Sequence, residues 1–235
     1  MAAPEVPDPR LERVLDSAAE LLVRWGYQRV TIDDVARHAG IGKGTVYLHF
    51  RSKDALFLTV LLRDQRKIVE HLADRMEADP RTVLPGCMMR LLYEQLIAEP
   101  VARSLYLSDA EVLGRLAHEG GDTLGELATA RAEAIRQHMC LLGEAGCLRP
   151  GLTPAAALYA FSAIATGFLL VDGFGYGDLV PDAEERSALL EQTIAAAVHA
   201  PDPPADELAR LAPEIAQRYR SLLVHVDHEW RRRVR

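Results

Sequence analysis

The N-terminal part of the chain repeats its apolar residues with the spacing of amphipathic helices. In the first segment they recur at i, i+3, i+4 and i+7, which forms one stripe suited to face a core. The stripe consists of Leu11, Val14, Leu15, Ala18, Leu21 and Leu22. Gly26 predicts the end of this helix. A second helix is expected after Thr31, with Asp34 three residues on as a near capping box, and Gly40 ends it.

The pattern stays helical through the rest of the chain. A short third helix is expected over residues 43–50, and Ser52 is the predicted N-cap of a long fourth helix that runs to about Glu77. Later helices are expected over residues 155–171 and 182–199, with a last one from near Pro213. No run of alternating β-branched residues indicates a sheet. We therefore expect an all-α protein of about ten helices, with an N-terminal three-helix helix-turn-helix head on a larger helical domain.

The predicted third helix has two contrasting sides. At about 100° per residue, Val46 and Phe50 lie together and point inward, whereas Leu48 points in the opposite direction. The outer side, flanked by Tyr47 and His49, carries no carboxylate. A leucine in this position suits contact with a thymine methyl group in the major groove, and Tyr and His suit hydrogen bonds to phosphates or base edges.

We therefore interpret this side as a DNA-contact face. The predicted contact residues are Thr31, Lys43, Gly44, Thr45, Tyr47, Leu48, His49 and Lys53. Periodicity alone leaves an alternative open, since a lone exposed leucine and a glycine turn between helices are equally compatible with plain helical packing.

A resemblance supports the DNA-binding interpretation. The segment "TIDDVARHAGIGKGTVYLHFRSKDAL", preceded by "AAELLVRWGYQRV", resembles the N-terminal signature of the TetR family of bacterial transcriptional regulators. The similarity spans about residues 11–61, and Gly42 departs from it where a serine is often found. The agreeing positions are Gly26, Thr31, Val35, Ala36, Gly40, Gly44, Thr45, Tyr47, Phe50, Lys53 and Leu56.

The resemblance implies a division of the chain and a mode of action. It implies a helix-turn-helix DNA-binding domain over residues 8–54 and a ligand-binding and dimerisation domain over residues 55–235. It also implies a homodimer with one recognition helix per subunit, and repression that a small molecule relieves.

Two helices of the C-terminal domain are the expected dimer interface, because in such proteins two helices from each subunit usually form a four-helix contact. A ridge of small residues on the first of them permits close helix approach. The predicted interface residues are Ala156, Ala160, Ala163, Gly167, Leu190, Thr193, Ile194 and Ala197. For each of them, a place in the core of one subunit is the alternative.

The larger apolar residues of the middle helices predict a hydrophobic effector pocket. The candidate lining residues are Met89, Tyr93, Tyr106, Met139, Tyr159 and Phe168. Ordinary core packing is the alternative for these residues too. Asp172 lies in an apolar setting, where it suits either recognition of a cation or hydroxyl or a solvated helix end.

The distribution of charge changes the picture that the total gives. A net charge of −7 by itself argues against a nucleic-acid binder. Residues 8–70, however, hold 11 Lys+Arg and 9 Asp+Glu, so this part carries +2 and the remainder carries −9. A basic head on an acidic body fits DNA contact through the head, although random surface variation would also produce it.

Other chemistry finds little support. The sequence has no G-x-S-x-G, phosphate-binding glycine loop or zinc-finger cysteine spacing, so we expect no enzyme, cofactor or metal. His225 and His228 have a spacing that admits a metal, but a solvated helix end is the favoured interpretation.

Three cysteines without C-x-x-C fit a reducing compartment, and the acidic, proline-rich N-terminus is no signal peptide, which indicates a cytoplasmic protein. Residues 151–171 carry no charge; their length admits a membrane span, but their small residues favour a buried helix.

These observations predict a sequence-specific DNA-binding transcriptional regulator. We expect a homodimeric repressor on a palindrome-like operator, with recognition helices about 34–36 Å apart and release by a small, hydrophobic ligand. The alternative is a DNA-binding module whose C-terminal domain binds a protein partner. An all-helical enzyme would need an acid–base constellation that the sequence lacks.

Overall fold

The structure is a computed structural model that describes residues 9–98, 122–171 and 181–233. In these residues the chain is almost entirely helical, and the only extended pairing is an isolated antiparallel bridge between Leu148 and His199. The all-α prediction is therefore confirmed. The helices are α1 (Pro9–Arg29), α2 (Ile32–His38), α3 (Lys43–His49), α4 (Lys53–Ala78), α5 (Pro85–Ala98), α6 (Asp122–Glu144), α7 (Pro154–Val171), α8 (Ala183–Val198), α9 (Ala205–Ser221) and α10 (Leu223–Arg233), with a 3-10 turn at Pro80–Val83.

The described residues up to Gln65 belong to a first compact unit, which also takes in those from Val226 onward. The predicted stripe of α1, from Leu11 to Leu22, is buried in it. Gly26 interrupts the regular helix, as expected, because its φ of 76° and ψ of 158° are non-helical. A left-handed φ favours glycine, so the chain turns here at little conformational cost.

Local hydrogen bonds and glycines fix where the two helices of the helix-turn-helix begin and end. Thr31 Oγ1 accepts from the Asp34 amide at 3.2 Å, and the Asp34 carboxylate accepts from the Thr31 amide at 3.0 Å, so the predicted capping box is complete. Gly40 has a φ of 67°, which allows the tight turn after α2. Gly42 is the N-cap of α3 and supplies no side-chain hydrogen bond.

Helix α4 is tied to α1 by an ion-pair cluster. Arg63 Nη1 donates to Glu12 at 3.1 Å and to Asp16 at 2.8 Å. The start of α4 is capped as predicted, because Ser52 Oγ accepts from the Ala55 amide at 2.9 Å. These contacts hold α4 on the helix that supports the helix-turn-helix.

The described residues of Arg66–Glu99 and Glu126–His225 form a second unit with its own apolar core. Helices α5 and α8 approach each other closely there. A Cβ atom added to Gly86 would lie 2.7 Å from the carbonyl oxygen of Glu191, so only glycine fits between the two backbones.

Two histidines are buried in the second unit. His138 lies between the Val83 carbonyl, 2.7 Å from Nε2, and the Tyr219 hydroxyl, 3.0 Å from Nδ1. His199 Nε2 accepts from the Gly86 amide at 3.0 Å. Burial lowers the pKa of each ring to about 4, so both are neutral near pH 7.

The expected start of the last helix near Pro213 is wrong. Pro213 lies inside α9, which begins at Ala205 directly after the proline-rich segment. The buried apolar stripe of α9 continues across Pro213. Burial of these side chains stabilises the helix by more than the loss of the backbone hydrogen bond that proline cannot donate destabilises it. The stripe consists of Leu208, Leu211, Ala212, Ile215, Ala216 and Tyr219.

Helix α7 departs in part from the expected buried helix. Ala157, Phe161 and Ala165 are buried, whereas the opposite side of the helix is exposed. Among the described residues, Pro154–Val171 is the one helix whose length and composition would allow it to cross a membrane. The same length and composition occur in helices that pack on one side against a core, as α7 does here.

Candidate nucleic-acid interface

The outer face of α3 is the candidate interface. Val46 and Phe50 are fully buried beneath it. Leu48 is 69% exposed and Tyr47 46% exposed, and an added Cβ at Gly44 would meet nothing within 4 Å. The structure therefore leaves this face open along the helix, with an apolar tip and a position where a partner's surface can approach the backbone closely.

Lys43 lies at the start of this face and forms an ion pair with the preceding helix, α2. Its ammonium donates to Asp33 Oδ2 at 2.9 Å, and both side chains are about half exposed. The hydrogen bond and the attraction of Asp33 raise the pKa of Lys43, so its charge is permanent at neutral pH. The ammonium also lies 6.0 Å from the centre of the Tyr47 ring.

Other predicted contact residues are less open. Thr45 and His49 are half-buried, and His49 Nδ1 has no hydrogen-bond partner within the described parts of the chain. Thr31 is exposed, but its hydroxyl also donates to Asp34 Oδ2 at 2.6 Å. The structure thus brings Lys43, Gly44, Tyr47 and Leu48 together as the accessible part of the face.

Lys53 has a structural role that sequence reasoning missed. Its ammonium lies 4.3 Å from the centre of the Tyr27 ring and 3.5 Å from the Gln28 carbonyl oxygen. The Tyr27 hydroxyl donates to Asp54 at the start of α4. Lys53 therefore connects the end of α1 to the start of α4, and no local sequence pattern signals this contact because Tyr27 and Lys53 lie far apart in the chain.

The predicted pocket residues separate in the structure. Met89, Tyr93 and Met139 are buried in the core of the second unit, and Phe168 packs against it. Tyr159 is 79% exposed and so does not line an internal pocket, because its position on α7 points away from the buried side. Tyr106 and Asp172 lie outside the described residues.

The predicted dimer residues separate as well. Ala156, Ala163 and Gly167 are exposed on α7, and Ala160, Thr193 and Ala197 are half-buried. Leu190 and Ile194 are fully buried in the core of one chain, which corrects their assignment to an interface. The structure exposes other apolar residues beside them that the predicted interface set does not include, because an apolar helix gives no pattern that separates its sides. These are Tyr159, Leu170 and Leu189.

Neither a candidate metal centre nor a disulfide occurs among the residues that the structure describes. No group of three or more His, Cys, Asp or Glu side chains in these ranges is placed to hold a metal ion. The three cysteines, Cys87, Cys140 and Cys147, are all free thiols. The Cys87 thiol donates to Glu191 at 3.2 Å, and burial followed by this carboxylate raises its pKa to about 12.

The geometry defines a class of protein: a helix-turn-helix domain that exposes its second helix, joined to a separate helical unit. The family model described as "Bacterial regulatory proteins, tetR family" matches residues 14–60. Residues 14–60 therefore match the helix-turn-helix region of that family, and the relatives that the chain matches over most of its length are helix-turn-helix transcriptional regulators.

Known relatives extend the similarity beyond the head. The chain is 27% identical over 188 residues to the probable HTH-type transcriptional regulator ArpR of Pseudomonas putida, covering 77% of this chain and 86% of that protein. The SmeT–triclosan complex is similar with a TM-score of 0.61 and 21% identity, over 82% of this chain and 92% of that one. SmeT is the repressor of the Stenotrophomonas maltophilia multidrug efflux pump SmeDEF.

A third relative is the transcriptional regulator FadR from Bacillus subtilis in complex with stearoyl-CoA. Its TM-score is 0.58 at 16% identity, over 80% of this chain and 99% of that one. At these identities the solved structures show that the fold is shared.

Proposed function

We propose that the chain is a cytoplasmic, homodimeric repressor that binds a palindrome-like operator through the outer face of α3 and is released by a hydrophobic small molecule. The observation that carries the proposal is the contrast along α3, where Val46 and Phe50 are buried while Tyr47 and Leu48 are exposed. An apolar tip framed by hydrogen-bonding groups fits the floor of a major groove.

Each accessible residue of the face has a proposed role. Leu48 contacts a thymine methyl group, and Gly44 permits close approach of the backbone. Tyr47 donates to a phosphate or base edge, and Lys43 supplies a cation for the phosphates. Thr31, Thr45, His49 and Lys53 are proposed as contacts at the margin of the face, where their exposure or existing hydrogen bonds leave less free surface.

The test is selection of bound fragments from random DNA, followed by affinity measurements with variants on the selected operator. Leu48→Ala removes an apolar base contact and Tyr47→Ala a polar one, and each is expected to cost about 1–3 kcal/mol of binding free energy. Val224→Ala is a matched control, because Val224 is 68% exposed on another helix and Leu48 is 69% exposed. Equal affinities of Leu48→Ala, Tyr47→Ala and Val224→Ala would remove α3 from the DNA site.

The proposed dimer interface is the exposed apolar side of α7 with its neighbour on α8. Tyr159, Leu170 and Leu189 are 79%, 58% and 46% exposed. They accompany the exposed small residues Ala163 and Gly167. A contiguous apolar face of this kind marks an interaction site, and small residues let two helices approach closely. Light scattering at micromolar concentration tests the proposal, and a monomer would contradict it.

The proposed effector is hydrophobic and binds the second unit near Met89, Tyr93, Met139 and Phe168. These residues supply adaptable apolar and aromatic surface, with the Tyr93 hydroxyl as a polar group. Two fold relatives form complexes with triclosan and with stearoyl-CoA, ligands with large apolar parts. We therefore choose these two compounds as probes for this chain.

Coupling between effector and operator is tested by reciprocity. A probe that weakens operator binding by some factor must itself bind the operator complex more weakly by the same factor. Operator titrations with and without triclosan or stearoyl-CoA measure one side, and thermal shifts of the free protein and of its operator complex on adding the probe measure the other. Binding of a probe to the second unit with unchanged operator affinity would contradict the proposed release.

A further inference from the structure

The two helices of the helix-turn-helix are joined at the surface by the ion pair of Asp33 and Lys43. Asp33 belongs to the first turn of α2, and Lys43 is the first residue of α3. The ammonium lies 2.9 Å from Asp33 Oδ2, with the side chains 53% and 56% exposed. The carboxylate therefore holds the cation that the outer face of α3 would offer to a phosphate.

The carboxylate of Asp33 takes no part in the capping box at the N-terminus of α2. The neighbouring Asp34 completes the capping box with Thr31 and also accepts from Arg37. Asp33 stands beside this arrangement and its hydrogen bond goes to Lys43. Since an exposed ion pair contributes little to stability, this pair is poorly explained as a fold-stabilising contact.

We propose that Asp33 competes with DNA phosphates for Lys43 and so sets the strength of sequence-independent DNA binding. The inference rests on the proposed DNA-contact face of α3. A phosphate that reaches Lys43 must displace the carboxylate, which then lies beside the DNA backbone as a like charge. Asp33 thus reduces the number of phosphate contacts that each subunit makes on DNA of arbitrary sequence.

The proposal predicts a measurable salt dependence. Each phosphate neutralised by a cation adds about −0.9 to the slope of log affinity against log salt. Removing the competing carboxylate by Asp33→Asn is expected to steepen the slope by about 0.9 per subunit. Affinity for a duplex of scrambled sequence would rise by up to about tenfold per subunit at ~0.1 M salt.

Glu133→Gln is the matched control, because it removes the same charge from another exposed ion pair. Glu133 is paired with Arg136 on α6 at 2.6 Å, in the second unit. Fluorescence anisotropy with a short labelled duplex of scrambled sequence, repeated over a salt series, gives affinity and slope for the full-length protein. The control is expected to match the wild type, while Asp33→Asn binds more tightly with a steeper slope.

A double variant separates competition from simple repulsion. In a Lys43→Gln background there is no ammonium to release, so adding Asp33→Asn is expected to change the slope little. A slope change of the same size in that background would overturn the proposal that Asp33 competes with DNA phosphates for Lys43. Thermal melting checks that each variant keeps its fold, which the intact cap of Thr31 and Asp34 favours.

The outcomes distinguish this inference from the proposed function. If the wild type binds both scrambled and selected duplexes but Asp33→Asn equals Glu133→Gln, the role of Asp33 is overturned and the DNA face stands. If the wild type binds neither duplex at any salt concentration, the DNA face itself fails and the role of Asp33 with it.

Discussion

Two exposed faces of this protein, the outer side of α3 and the outer side of α7, both present a large apolar tip to solvent. Leu48 on α3 is 69% exposed, and Tyr159 on α7 is 79% exposed. The surroundings differ: Leu48 is accompanied by Lys43 and His49, whereas α7 carries no charged residue over its whole length. Exposed apolar surface therefore indicates an interaction site on both helices. The polar and charged residues around it distinguish a face suited to DNA from one suited to another copy of the chain.

The supports beneath the two faces differ as well. The α3 face rests on Val46 and Phe50, and the ion pairs around it lie at the surface. The second unit, which contains α7, buries two neutral histidines and a glycine-mediated contact between α5 and α8. The two faces are therefore expected to respond differently to charge, acid and added methyl groups.

The largest effect on assembly is expected from a charge on the α7 face. Ala163→Glu would place a carboxylate in each half of an apolar interface, and such juxtaposed like charges cost several kcal/mol. We expect the dimer dissociation constant to rise by about hundredfold or more. Light scattering over a dilution series measures it, with Ala132→Glu, an exposed alanine on α6, as the control. An unchanged dimer would move the interface away from α7.

Acid is expected to act on the second unit through its buried histidines. The pKa of His138 and of His199 is about 4 in the folded chain and near 6.5 when unfolded, so the unfolded state binds protons first. The stability from each neutral ring is complete above about pH 6.5 and is lost as the pH falls toward 4, amounting to about 3 kcal/mol per histidine.

Denaturant unfolding at several pH values checks this prediction. His199→Gln keeps an acceptor for the Gly86 amide but does not titrate, so it should remove part of the dependence between pH 6.5 and 4. A stability profile identical to that of the wild type over this interval would show that His199 does not contribute.

Replacing a glycine by alanine is expected to affect stability differently in the two units. Gly86→Ala puts a Cβ 2.7 Å from a backbone oxygen and is expected to destabilise the fold by about 1–3 kcal/mol. Gly44→Ala meets nothing within 4 Å, so it should leave stability unchanged or raise it by up to about 1 kcal/mol. Operator affinity should nevertheless fall for Gly44→Ala. Unfolding curves and DNA titrations of both variants test the contrast, and destabilisation by Gly44→Ala would contradict it.

The smallest effect is expected at the contact behind the α3 face. Lys53→Met removes the cation from above the Tyr27 ring and its hydrogen bond to the Gln28 carbonyl. A loss of up to about 1 kcal/mol of unfolding free energy is expected, as for exposed cation–π pairs. Melting curves give this value, and operator titrations of the same variant then show whether Lys53 adds a DNA contact. No change in melting would limit Lys53 to a role outside the fold.

The features of this protein that depend on neighbours along the chain could be predicted from its amino-acid sequence. The capping box of Thr31 and Asp34, the turn at Gly40 and the inward direction of Val46 all follow from local hydrogen bonds and helical period. The face of α3 could be predicted because its inward and outward residues differ in polarity. The second role of Lys53 escaped prediction, since its contact with Tyr27 joins residues far apart in the chain.

Which sides of the apolar helices are buried depends instead on how the helices pack against one another. Helix α7 is apolar all round, so the pattern alone cannot tell that Ala157 and Phe161 face the core while Ala163 does not. In α8 the neighbouring leucines divide in the same way, with Leu190 buried and Leu189 exposed. The physical reason is that the hydrophobic effect is non-directional. Burial of either side of an apolar helix would stabilise the fold equally, and the packing of the other helices determines which side is buried.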